Sequence, residues 1–228
     1  MMKAFLVCSL SFLLVTGVAG CSSLNRAGEH VSAAISPTDV RLIRYHVDEN
    51  LRSLEEFTLR LYARNPKFEP DLLVRQRKMN RIFRGGFVVD ADWGQKSSRE
   101  LLTAAFVPET SVDRVYLLGL GMAKSIREAY QVTGSGLFVT GLQVEEEQLQ
   151  RLHSNFSQVN WRLKTYRDEK GNLLFLTNGM GENGYLNMGY EVIMTRILTR
   201  IEDDIYLHGG LPEKHLFDMS ALFLTILI

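Results

Sequence analysis

Between residues 143 and 167, apolar side chains return at alternating steps of three and four without a break: Leu149, Leu152, Phe156, Val159, Leu163 and Tyr166. That spacing puts all six on one side of an α-helix and scatters them over both faces of a strand. The stripe has the rhythm of a coiled-coil seam but is shorter than the three to four heptads that a free-standing coiled coil needs. Packing inside a domain is the expected use, and a seam for a partner helix is the other.

The same rhythm recurs along the chain. Thr38 can cap a helix and Asp39 suits its positive end. Val40, Ile43, Val47, Leu51, Leu54, Phe57 and Leu61 then form one stripe, and Asn65-Pro66 stops it. Glu69-Pro70-Asp71 opens a second helix with Leu72, Gln76, Met79 and Phe83 on one face, ended by Gly85-Gly86 and made basic by Arg75, Arg77, Lys78, Arg81 and Arg84. Ser97 and Glu100 have the spacing of a capping box ahead of Leu101. Ser111 can cap a helix running from 112 to about 130, apolar nearly all round and therefore central. Leu186, Tyr190, Ile193, Ile197 and Ile201 mark a last helix that ends near His208-Gly209-Gly210. Three short runs, Gly86-Phe87-Val88-Val89, Gly136-Leu137-Phe138-Val139 and Leu173-Leu174-Phe175-Leu176, suit strands but are too brief to overturn the helical pattern. The expected fold is mainly α: a single helical domain over residues 38–228, with about six to seven helices and at most minor β.

The N-terminal residues follow a different logic. Met1-Met2-Lys3 is a short positive start, residues 4–18 carry no charge, and the small pair Ala19-Gly20 follows. This is the layout of a secretory signal, and it is shorter than the roughly 20 apolar residues a spanning helix needs. Val18-Ala19-Gly20-Cys21 resembles the lipobox of bacterial lipoproteins. The resemblance implies lipid on the Cys21 thiol and cleavage after Gly20, leaving residues 1–20 as signal peptide and 21–37 as lipidated cysteine and tether. Two or three acyl chains hold a protein firmly where one holds it marginally. Ser22 stands where an aspartate would favour inner-membrane retention, so the expected address is the outer membrane, facing the periplasm.

Charge and cysteine content narrow the partners. Lys and Arg total 26 and so do Asp and Glu, so no basic excess exists to follow a phosphate backbone, and nucleic acid is not expected. The chain has two cysteines. Cys8 leaves with the signal and Cys21 takes the lipid, so the domain has no disulfide, thiol nucleophile or thiolate metal site. With 46% hydrophobic residues it can build its core by packing.

Few patterns suggest chemistry. Gly179, Gly181 and Gly184 fit G-x-G-x-x-G, but no second strand of a βαβ unit follows, so no nucleotide cofactor is expected. An Asn/Gly-rich loop is the plain reading; with Tyr185, Tyr190 and Trp161 it could line a ligand pocket. Asp204, His208 and His215, beside Glu202 and Asp203, supply metal-ligand types. The alternative there is a solvated acidic turn with a histidine favoured by the helix end. Thr133-Gly134-Ser135-Gly136 is not G-x-S-x-G, and His46 and His153 sit in helical patterns. No catalytic residue is assigned. The leading expectation is a non-catalytic adaptor or structural lipoprotein of the cell envelope. It would meet a protein partner through the basic helix, the 149–166 seam or the uncharged C-terminal stretch 219–228. A small-molecule or lipid-binding lipoprotein is the alternative, and a metal-dependent hydrolase a more distant one.

Overall fold

The computed structural model describes residues 38–84, 93–132, 144–180, 184, 186–208 and 210. The chain divides into two compact units, residues 1–41 and 42–228, and of the first only the opening turn of a helix is described. The signal, Cys21, the tether, the strand-like runs at 86–89 and 136–139, Ser135 and the 219–228 stretch all lie outside the described residues.

The fold is mainly α. In chain order the described elements are α1 (Thr38–Arg64), a 3-10 turn (Pro66–Phe68), α2 (Leu72–Phe83), α3 (Ser98–Ala105), α4 (Arg114–Ala129), α5 (Glu146–Thr165), β1 (Gly179–Met180), β2 (Leu186–Asn187) and α6 (Gly189–Leu207). The two strands form a minimal antiparallel pair, with Gly179 opposite Asn187 and Met180 opposite Leu186. Leu186, expected on the last helix, therefore belongs to β2, and α6 begins three residues later. The 173–176 run makes one isolated bridge, Leu173 to Arg167, and buries Leu174 and Phe175. Among the described residues no helix is long and apolar enough to cross a membrane.

Helix α4 is the centre. Thirteen of its 16 residues are buried, so it meets protein on every side. It packs against α2, α3 and α5, and α1 crosses it at Gly119. A Cβ on that glycine would come within 2.9 Å of Thr58 Cγ2 and 3.3 Å of Ile82 Cδ1, so the absent side chain sets how closely the helices approach. The cap of α4 is Asp113, two residues closer to the helix than the expected Ser111. Its Oδ1 accepts from the Val115 and Tyr116 amides at 3.0 and 3.1 Å, and its Oδ2 from Tyr62 Oη at 2.7 Å and Lys78 Nζ at 2.9 Å. Four donors from three elements converge on one carboxylate, an advantage that Ser111 does not share.

The other caps follow the local sequence. Asp71 accepts from the amides of Leu73 and Val74 and starts α2. Ser97 and Glu100 make the capping box of α3 in both directions. Helix α2 turns a different face inward from the expected one. Met79 and Ile82 are buried, Gln76 is exposed, and Leu72, in the first turn, is 71% exposed. The basic residues of α2 are largely engaged within the fold: Arg75 donates to backbone carbonyls of Glu69 and Pro66, Lys78 to Glu69 and Asp113, and Arg84 to Glu55.

The 149–163 stripe lies in the core, with Leu149, Leu152, Phe156, Val159 and Leu163 all buried as α5 packs along α6. Helix α6 also runs antiparallel to α1. Asp204 meets His46, Arg200 donates to Asn50 and Ser53, and Tyr190 stacks edge-on against Phe57 while donating to the Arg60 carbonyl. At the far end of α1, Asn65 holds the 173–176 segment. Its Nδ2 donates to the Leu176 carbonyl and its Oδ1 accepts the Leu176 amide, both at 2.8 Å.

Candidate functional site

Helices α3, α4 and α5 enclose a cleft of about 320 Å³. Pockets for small molecules begin at about that size. Its apolar wall is Leu102 of α3, Ala129 of α4, and Leu152 and Val159 of α5. These are the edges of the core stripes, which is why the wall follows from the fold.

The cleft's polar side is less ordinary. Arg162 follows Val159 by three residues, so the α5 stripe carries it inward, and it is 6% exposed. Its guanidinium lies over the rings of Phe106 and Tyr166, with centroids at 5.3 and 5.1 Å. Nε is buried without a hydrogen-bond partner, and among the described residues no carboxylate forms an ion pair with the group. Burial pulls its pKa down, opposed by the neighbouring Tyr166, but a guanidinium remains a cation in proteins. On the facing helix, Ser125 is 5% exposed and its Oγ also has no partner. Two more arginines line the cleft from exposed positions, Arg99 on α3 and Arg151 on α5, the second paired with Glu147 at 3.3 Å. Among the described residues one carboxylate lines the cleft, Glu128, which is exposed and already accepts from Ser98 Oγ at 2.5 Å.

The cations here outnumber the carboxylates. An unpaired buried charge loses several kcal/mol of hydration, and a ring under a cation returns only about 0.5–2 kcal/mol. Helical spacing places Arg162 inward, but its lack of a carboxylate is a tertiary fact that local pattern does not carry. The sequence signal was an arginine on the edge of an apolar stripe.

The residues singled out by sequence lie elsewhere. Asp204 is fully buried, so it is not part of a solvated acidic turn. It falls three residues after Ile201 on the inward stripe of α6, and it is held there by partners. His46 Nδ1 contacts its Oδ1 at 2.7 Å, and Tyr130 donates to its Oδ2 at 2.5 Å, with burial and this carboxylate raising the phenol's pKa well above normal. His208 closes the helix end by donating from Nδ1 to the Asp204 carbonyl at 2.8 Å. His215 lies outside the described residues. Among the described residues no group of three or more His, Cys, Asp or Glu side chains is placed to hold a metal ion. His153 likewise makes a helix contact, to Glu202 at 2.9 Å.

Of the glycine motif, Gly179 sits in β1 under the Arg64 guanidinium, where a side chain would collide, and Gly184 turns the chain with φ of +77°. Gly181 and Tyr185 lie outside the described residues. Tyr190 gives its ring to Phe57 and its hydroxyl to Arg60, while Trp161 packs edge-on against Tyr166. No protein-family model, curated protein or solved structure matches the chain.

Proposed function

We propose that this protein is a lipoprotein of the bacterial envelope, held on a membrane through Cys21, whose helical domain binds a small molecule without transforming it. The anchor rests on the lipobox residues and the signal-like segment before them. The binding role rests on one observation, the cleft between α3, α4 and α5 with buried polar groups left unpartnered inside it. Unsatisfied buried polar atoms are costly and in native proteins call for a partner. The cleft's hydroxyl–carboxylate contact, Ser98 to Glu128, has no histidine beside it, and among the described residues the cleft holds no pair of carboxylates, so binding is the role its chemistry supports.

The adaptor reading keeps one specific support, the adjacent Leu72 and Leu73, 71% and 70% exposed at the start of α2. The seam meant for it is buried in the domain, and most of the basic side chains of α2 have partners within the fold.

Native mass spectrometry of the detergent-extracted full chain tests the binding role. A bound small molecule is expected on the wild-type protein and absent from Ala129→Leu, which fills the cleft. If the wild type carries nothing and a chemically mixed metabolite panel fails to raise its melting temperature, the binding role is wrong. Cys21→Ser is expected to shift the protein from the membrane to the soluble fraction; unchanged membrane retention would remove the anchor.

A further inference from the structure

We infer that the ligand of the cleft is a small organic oxyanion, a carboxylate or a phosphate on a compact apolar body, with Arg162 as the residue that recognises it. This rests on the binding role proposed above and names the class of molecule. Three features of the cleft converge on it.

Arg162 is the first. Its planar guanidinium is matched to oxyanions, which accept two parallel N–H bonds from it. Here the group is more than nine-tenths buried and stacked on Phe106 and Tyr166, so its orientation is set before a ligand arrives. Its Nε is unpartnered and among the described residues no carboxylate pairs with it, so an incoming anion need displace none of those.

The Ser125 hydroxyl is the second. It is buried and unpartnered on α4, among the residues that line the same cleft as Arg162, and is assigned as an O–H donor to the bound anion. Third is the balance of charge around the opening. Arg99 adds positive charge at an exposed position, Arg151 shares its charge with Glu147, and Glu128, the carboxylate among the described lining residues, accepts from Ser98, which leaves the three arginines in excess. Such a cleft raises the local concentration of anions. Its apolar wall, formed by Leu102, Ala129, Leu152 and Val159, fits a short hydrocarbon or ring, and its volume of about 320 Å³ suits a compact body.

The test uses benzoate, phenyl phosphate and the neutral isostere benzamide. Each is titrated against the intact chain in neutral detergent and followed by ligand-observed saturation-transfer NMR. Benzoate and phenyl phosphate are expected to bind, the stronger of them naming the head group, with benzamide about thirtyfold weaker or worse, the loss that follows when a buried charge loses its partner. Arg162→Gln should abolish the preference, and Ser125→Ala should weaken both anions severalfold with the fold unchanged by circular dichroism. Equal binding of benzamide and benzoate, both lost in Ala129→Leu, would overturn the anion class and leave the binding role standing. Anion binding that survives Ala129→Leu, or no anion binding at all, would overturn the assignment of Arg162. Should Arg162→Gln fail to fold, the matched pair on the wild-type chain and Ser125→Ala decide the question without it.

Discussion

Asp204 and Arg162 are both buried ionisable residues on inward helical stripes, and they are treated in opposite ways. The Asp204 carboxylate, on α6, has His46 on one oxygen and Tyr130 on the other. The Arg162 guanidinium, on α5, has two aromatic rings and, among the described residues, no counter-charge. A buried charge with its partners inside the chain ties helices together; a buried charge without them is open to a partner from outside. Burial alone therefore says little about role, and the ledger of partners says a great deal.

The sharpest way to break this contrast is Asp204→Ala. It strands His46 and Tyr130 in the core and is expected to cost about 3–5 kcal/mol in a denaturant melt, the usual range for breaking a buried pair. A loss under about 1 kcal/mol would mean that the network does not hold α1, α4 and α6 together. Tyr130→Phe removes one hydrogen bond to a charged group and should cost about 1.5–3 kcal/mol by the same measurement. Arg162→Met, assayed without ligand, should change stability by less than about 1 kcal/mol or raise it, because an unpaired buried charge gives way to a side chain of similar reach. A loss as large as that of Asp204→Ala would place Arg162 in the same structural class and end the contrast.

The smallest expected effect sets the scale for pairs near the surface. Lys78 hydrogen-bonds Glu69 at 2.6 Å and holds its carboxyl below the usual 4.5. A carboxyl with a lowered folded-state pKa contributes stability above its unfolded value, and that contribution is lost as pH falls through the folded one. Glu69→Gln should thus be slightly less stable than wild type at neutral pH, and the two should converge as pH drops below 4.5. A difference that stays constant with pH in thermal melts would show that the ion pair contributes nothing.

Much of the helical frame is legible from local pattern. The stripes of α1, α5 and α6 and the Ser97–Glu100 capping box are determined within a few residues of themselves, so spacing finds them. What spacing misses is set by distant residues. Asp113 displaces Ser111 as a cap because Tyr62 and Lys78 reach it from α1 and α2. Leu186 leaves the helix for β2 because the chain reverses there against Gly179 and Met180. Leu72 shares a face with Met79 yet stays exposed in the first turn, a difference that spacing does not carry. The cleft is the extreme case: its polar groups come from three helices, and no one of those stretches marks it alone.

The antiparallel pairing of α1 with α6 has a mechanical consequence. His46 and Asp204 sit side by side, so chain enters α1 and leaves α6 at the same pole of that pair, and the Phe57–Tyr190 contact lies further along. A pull applied across those two ends would open the pair like a zipper, loading the His46–Asp204 contact first and the Asn50–Arg200 contact next, instead of shearing all of them at once. The helices joined by the most buried carboxylate of the described domain are thus the ones a stretched chain would part first, at far lower force than its equilibrium stability suggests.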